Sequence, residues 1–97
     1  MKRKYSFGDR DSNEAEIIQF LRATGARVQQ MTERAGFDLL VTCELHYIVE
    51  VKNPARKWKL TEAEAKTKQE IESAGGRYHI VETVEQAARV IGWEIER

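Results

Sequence analysis

Three ionisable side chains, Asp38, Glu50 and Lys52, fall inside or at the start of the two most apolar runs of this 97-residue chain, residues 37–42 and 47–52. Strands of this kind bury one face, where a charge costs free energy unless it is paired or put to use. Side chains two apart in a strand share a face. Glu50 and Lys52 therefore point the same way as Ile48, while Tyr47, Val49 and Val51 point the other way. Asp38 joins them if the hairpin register is even, for example with Asp38 opposite Glu50 across a three-residue loop; an odd register separates them. Two carboxylates with an ammonium beside them suit a hard divalent cation such as Mg²⁺, which takes oxygen ligands, keeps waters and polarises a phosphoryl oxygen. Lys52 would then hold the attacking water or the developing charge. Proton abstraction fits it less well, because neighbouring carboxylates favour the charged ammonium. The alternative is that Glu50 and Lys52 decorate the solvent face of a hairpin, with Asp38 paired to Lys52 across it. The string Glu-x-Lys recurs at Glu64-Ala65-Lys66, but on a helix, where positions two apart diverge by about 200°. Geometry favours the strand copy.

The elements that must position these residues follow from periodicity and punctuation. Asp11, with Glu14 three positions on, opens a helix over about residues 12–24, whose stripe is Ile17, Ile18, Phe20 and Leu21 and which Gly25 ends. Residues 26–32 form a weak strand around Val28 and Met31, and 33–36 a loop. The two apolar runs form a hairpin over a short polar turn. Asn53-Pro54 stops the second strand. Thr61 and Glu64 are in capping-box register for a second helix that ends at Gly75-Gly76. Its apolar face is thin (Ala63, Thr67, Ile71 and Ala74), leaving most of it to solvent or a partner. Residues 78–81 form a further strand. Thr83 and Gln86 then open a last helix with Val84, Ala87, Ala88 and Ile91 on one face and Gly92 at its end. The order helix, three-stranded meander, helix, strand, helix predicts an α/β domain with a mixed sheet, one unit over residues 1–97.

Composition narrows the function classes. Sixteen Lys and Arg balance sixteen Asp and Glu, and 41% of residues are hydrophobic, which fits one globular domain and excludes a two-domain enzyme. Apolar runs of four or five residues fall far short of the roughly 20 that span a bilayer, and residues 1–4 lead into polar sequence, so a cytoplasmic protein is expected. Cys43 is the lone cysteine, which rules out an intrachain disulfide and a cysteine-cluster zinc site.

The run Gly36-Phe37-Asp38-Leu39-Leu40-Val41, the strand Ile48-Val49-Glu50-Val51-Lys52, and Lys59-Leu60-Thr61-Glu62 at the start of the Gly75-Gly76 helix together resemble the PD-(D/E)xK nuclease superfamily. More narrowly, they resemble the small stand-alone VRR-NUC nucleases of phages, relatives of Holliday-junction resolvases. With the first helix included, the likeness covers about residues 11 to 91. It implies a restriction-endonuclease-like core and a Mg²⁺- or Mn²⁺-dependent endodeoxyribonuclease, most in keeping with branched DNA such as Holliday junctions. Two alternatives are a catalytically silent DNA-binding or assembly module on the same fold, and a nicking or restriction-type duplex endonuclease. The resemblance implies that Asp38 and Glu50 bind the metal through carboxylates and Val51 through its carbonyl, that Lys52 is the catalytic lysine, and that Glu14, with Glu16 as runner-up, supplies a first-helix carboxylate. It also implies a homodimer, and a host's cytoplasm if the chain is phage-encoded. Phe37 replaces the family's proline before the aspartate. The helix-two glutamine common in these domains would fall near Glu64, with Lys66, Lys68 or Gln69 as stand-ins.

The zero net charge hides an uneven distribution. Residues 51–61 hold Lys52, Arg56, Lys57 and Lys59 and no acidic residue, and residues 2–4 are all basic. Arg56, Lys57 and Lys59 are candidate phosphate contacts. Trp58 among them would stack on an unpaired base or pack under its loop. No helix-turn-helix or zinc finger is present to read sequence, so structure-selective binding fits better. If Glu14, Asp38 and Glu50 face a metal, thirteen acidic side chains remain against sixteen basic ones, and the balance favours DNA.

Overall fold

The computed structural model describes residues 12–93. Its sheet is built from four strands: β1 (Arg27–Gln30), β2 (Leu39–Cys43), β3 (Leu45–Val51) and β4 (His79–Val81). They lie in the order β1-β2-β3-β4, the first two pairings antiparallel and β3–β4 parallel, so the sheet is mixed as expected. Helix α1 (Ser12–Ala23) precedes β1, α2 (Glu62–Ser73) makes the crossover from β3 to β4, and α3 (Val84–Val90) closes the described chain. Residues Glu33–Ala35, expected as loop, form a short 3-10 turn between β1 and β2. The Asp11 cap and the basic residues 2–4 fall outside the described residues.

The β2–β3 ladder decides where the charges go. It pairs Leu39 with Val49, Leu40 with Ile48 and Val41 with Tyr47, and runs on to Cys43 and Leu45. The register is therefore even. The turn is tighter than the expected three-residue loop, with Glu44 in the left-handed region at φ 69°. Leu39, Val41, Val49, Val51 and Val81 are buried with Ile17, Ile18 and Leu21 of α1 and Ala87 of α3 in one core. Each fully buried aliphatic side chain is worth roughly 1.5–3 kcal/mol relative to exposure, so this face holds the register. The opposite face carries Ile48, Glu50 and Lys52.

Helix α2 is held differently, since none of its residues is buried. Of the expected apolar positions, Thr67 and Ile71 are half-buried, while Ala63 and Ala74 are exposed. Local devices set its place. Thr61 accepts the Glu64 N–H and the Glu64 carboxylate accepts the Thr61 N–H, completing the expected capping box. Gly36, at φ 79°, lies so close to Thr67 that a Cβ there would collide with the threonine side chain. The Tyr78 hydroxyl donates to the Gly36 carbonyl at 2.5 Å, tying the start of β4 to the same loop.

Candidate active site

Asp38, Glu50 and Lys52 come together where β2 begins and β3 ends. Continuing the ladder by one residue sets Asp38 beside Glu50. Asp38 Oδ2 accepts the Val51 N–H at 2.8 Å, and the Asp38 N–H donates to the Val49 carbonyl at 3.1 Å, so the carboxylate is clamped to the strand that carries Glu50. Glu50 is 2% exposed, the most deeply buried charged residue among those described. Its Oε2 lies 3.2 Å from Lys52 Nζ, while Oε1 is buried with no hydrogen-bond partner among the described residues.

The third contact of this cluster comes from α2. Lys52 Nζ donates to Glu64 Oε1 at 2.9 Å, and the same oxygen accepts the Thr61 N–H at 2.9 Å. The lysine thus lies between Glu50 and Glu64, not paired to Asp38. Burial pushes the Glu50 carboxyl up to about 8, and the negative charges of Asp38 and Glu64 reinforce it against the Lys52 contact. Burial alone would lower Lys52, but its hydrogen bonds to Glu64 and Glu50 outweigh that and hold the ammonium above its ordinary range. For Glu64 burial is likewise overcome, here by the Thr61 N–H and Lys52, and its carboxyl is held low. The buried Tyr78 phenol is kept protonated by burial and by the field of Glu50, Glu64 and Asp38.

A cleft of about 450 Å³ opens over this cluster, lined by Asp38, Glu50, Thr61 and Glu64 together with Met31, Arg34 and Phe37. Glu14 is 6% exposed in the first turn of α1, whereas Glu16 is exposed. Next to Glu14, Asn13 donates its amide to the carbonyls of Lys52 at 2.9 Å and Glu82 at 3.2 Å, fixing α1 to the end of β3. Arg56, Lys57 and Lys59 are exposed on the segment between β3 and α2.

The donor set suits a hard divalent cation: all-oxygen ligands, a buried carboxylate oxygen without a partner, and a second carboxylate on the neighbouring strand. Among the described residues no group of three Asp, Glu, His or Cys side chains forms a ready-made cage. The residues that would hold a cation are Asp38 and Glu50, with the Val51 carbonyl and Glu14 as further expected donors.

Sequence reasoning missed three contributors. Glu64 reads as a helix cap, and nothing in its spacing shows that the cap oxygen also reaches Lys52. Tyr78 reads as an ordinary strand residue and Asn13 as an ordinary helix residue. The one available signal is the helix-two glutamine of the domains the sequence resembles, whose position would fall near Glu64.

No family model matches the sequence, and no curated protein does. In three dimensions the chain is similar to a solved VRR_NUC domain, with a TM-score of 0.63 over 84% of this chain and 96% of that one, at 21% sequence identity. The fold is therefore similar to that of a VRR_NUC domain, the fold that the sequence resemblance implies. No helix among the described residues is long and apolar enough to cross a membrane.

Proposed function

We propose that this protein is a divalent-metal-dependent endodeoxyribonuclease that hydrolyses backbone phosphodiesters, with branched DNA as its favoured substrate class. The observation that carries the reading is a buried glutamate, Glu50, beside Asp38 and 3.2 Å from a protonated lysine, on a fold shared with a VRR_NUC domain. A charge set this costly to bury suits a site that takes up a cation and a phosphate.

When bound, Mg²⁺ or Mn²⁺ would supply Lewis-acid polarisation of the phosphoryl oxygen and of a water. Asp38 and Glu50 would hold the ion, Asp38 kept in place by the Val51 N–H. Lys52, charged at neutral pH, would donate hydrogen bonds to the attacking water or to the negative charge that builds on the phosphate. Glu64, which accepts from Lys52 Nζ, would hold that ammonium beside Glu50. The exposed Arg56, Lys57 and Lys59, and Arg34 at the cleft, would neutralise flanking phosphates. A homodimer would be needed to cut two strands symmetrically.

Lys52→Ala and Asp38→Asn should each abolish Mg²⁺- or Mn²⁺-dependent cleavage in a panel of four-way junction, flap and linear duplex DNA while leaving binding largely intact. Cleavage that survives both substitutions, or survives EDTA, overturns the assignment. Absence of cleavage together with absence of Mg²⁺ binding by calorimetry would instead indicate a silent DNA-binding module, and cleavage confined to linear duplex a restriction-type enzyme.

A further inference from the structure

The segment between β3 and α2 carries a feature the cleavage chemistry does not need. Trp58 is 41% exposed, an unusual state for the largest apolar side chain. It is nonetheless anchored. Its indole N–H donates to Glu82 Oε2 at 2.8 Å, which uses the ring edge, and Lys52 Nζ stands over the ring 5.9 Å from its centroid. Upstream, the Asn53 side chain accepts the Ala55 N–H at 2.9 Å and turns the chain after β3. Arg56, Lys57 and Lys59 flank Trp58 in the sequence, and residues 53–60 contain no acid. An anchored aromatic face beside the lysine proposed to meet the phosphate, in a segment of basic residues, has the composition of a stacking site for nucleic acid.

Resting on the nuclease reading, we propose that Trp58 is the platform on which an unpaired nucleobase stacks next to the scissile phosphate, and that it selects DNA at junctions between single and double strands. In an intact duplex both faces of every base are already stacked on neighbours, so the indole has nothing to receive. At a flap, fork or junction the base beside the scissile phosphate can turn out of the stack, and the ring adjacent to Lys52 lies within one nucleotide's reach of it. The Glu82 hydrogen bond fixes the ring beforehand, so little side-chain freedom is lost on binding. Stacking accepts any base, which gives selectivity for structure without selectivity for sequence.

Trp93 is the other tryptophan and packs edge-on against Phe20, away from this segment in sequence, so Trp93→Phe isolates the Trp58 emission. In that background, with EDTA present to prevent cleavage, a DNA duplex bearing a single-stranded flap should quench Trp58. A fully paired duplex of equal length, bound to the same extent by anisotropy, should leave it nearly unchanged. Trp58→Ala should lower the ratio of flap to duplex cleavage about tenfold or more, and Trp58→Phe should retain most of it. Equal quenching by both DNAs, no quenching by the flap, or emission that shifts with protein concentration alone and so marks a second copy on the ring overturns the proposal. The binding arm needs no catalysis. Flap-specific quenching without cleavage would count against the nuclease reading alone, and cleavage without quenching against the Trp58 proposal alone.

Discussion

Glu50 carries a strong electrostatic conflict among the described residues. Its carboxyl titrates near 8 in the fold against about 4.5 in an unfolded chain, so the folded state binds the extra proton between those values. Stability drawn from that proton is complete below about pH 4.5 and is lost as the pH rises through 8. The metal-free protein should therefore show a falling melting temperature from about pH 5 to 8. Glu50→Gln, which cannot ionise, should flatten that slope and melt several degrees higher at pH 8 while losing cleavage. At the proposed metal site Mg²⁺ would need the carboxylate, so affinity should fall about tenfold per pH unit below 8, with proton release seen by calorimetry in buffers of different ionisation heat. Glu64 offers a second test at this scale, because one oxygen serves both the helix cap and Lys52. Glu64→Gln keeps an acceptor for both and should cut cleavage less than tenfold. Glu64→Ala should cost about 1 kcal/mol of stability by thermal melting and slow cleavage ten- to a hundredfold.

At the scale of elements, α2 is the least anchored piece. It has no buried residue, and its place depends on the capping box, the Lys52 contact and the close approach of Thr67 to Gly36. Gly36→Ala adds a methyl group in a left-handed conformation and drives it into Thr67, so α2 must shift. The variant should lose about 2 kcal/mol by denaturant melting and should lose cleavage more steeply than its stability alone predicts, since the shift moves Glu64 off Lys52. The thin polar pattern of this helix was legible in the sequence. Its dependence on one glycine was not, because Gly36 and Thr67 are 31 positions apart and meet only when the crossover is complete.

For the whole molecule, charge neutrality is a poor guide to partners. Sixteen basic and sixteen acidic side chains cancel, yet acids gather at the cleft while the charged residues of segment 53–60, which leads into α2, are all basic. Carboxylate–phosphate repulsion at that cleft should weaken DNA binding until a cation arrives. With the Lys52→Ala protein, which keeps the carboxylates, junction affinity measured by anisotropy should rise severalfold when Mg²⁺ is added. Equal affinity in EDTA would show that the carboxylates do not face the phosphates.

By itself the sequence determined the order of elements, the face shared by Glu50 and Lys52 and the capping box at Thr61, and it singled out Asp38 as a candidate to join them, because period-2 patterning and cap spacing act over a few residues. It left the hairpin register open, and burial of Leu39, Val41, Val49 and Val51 in one core decided it. It left Glu14 competing with Glu16, and packing buried the first and exposed the second. Only the tertiary structure brought Glu64 onto Lys52, Asn13 onto the end of β3, and an exposed indole beside the lysine. Each of those contacts joins residues separated in the chain, and no local period encodes where a crossover helix or a connecting segment comes to rest.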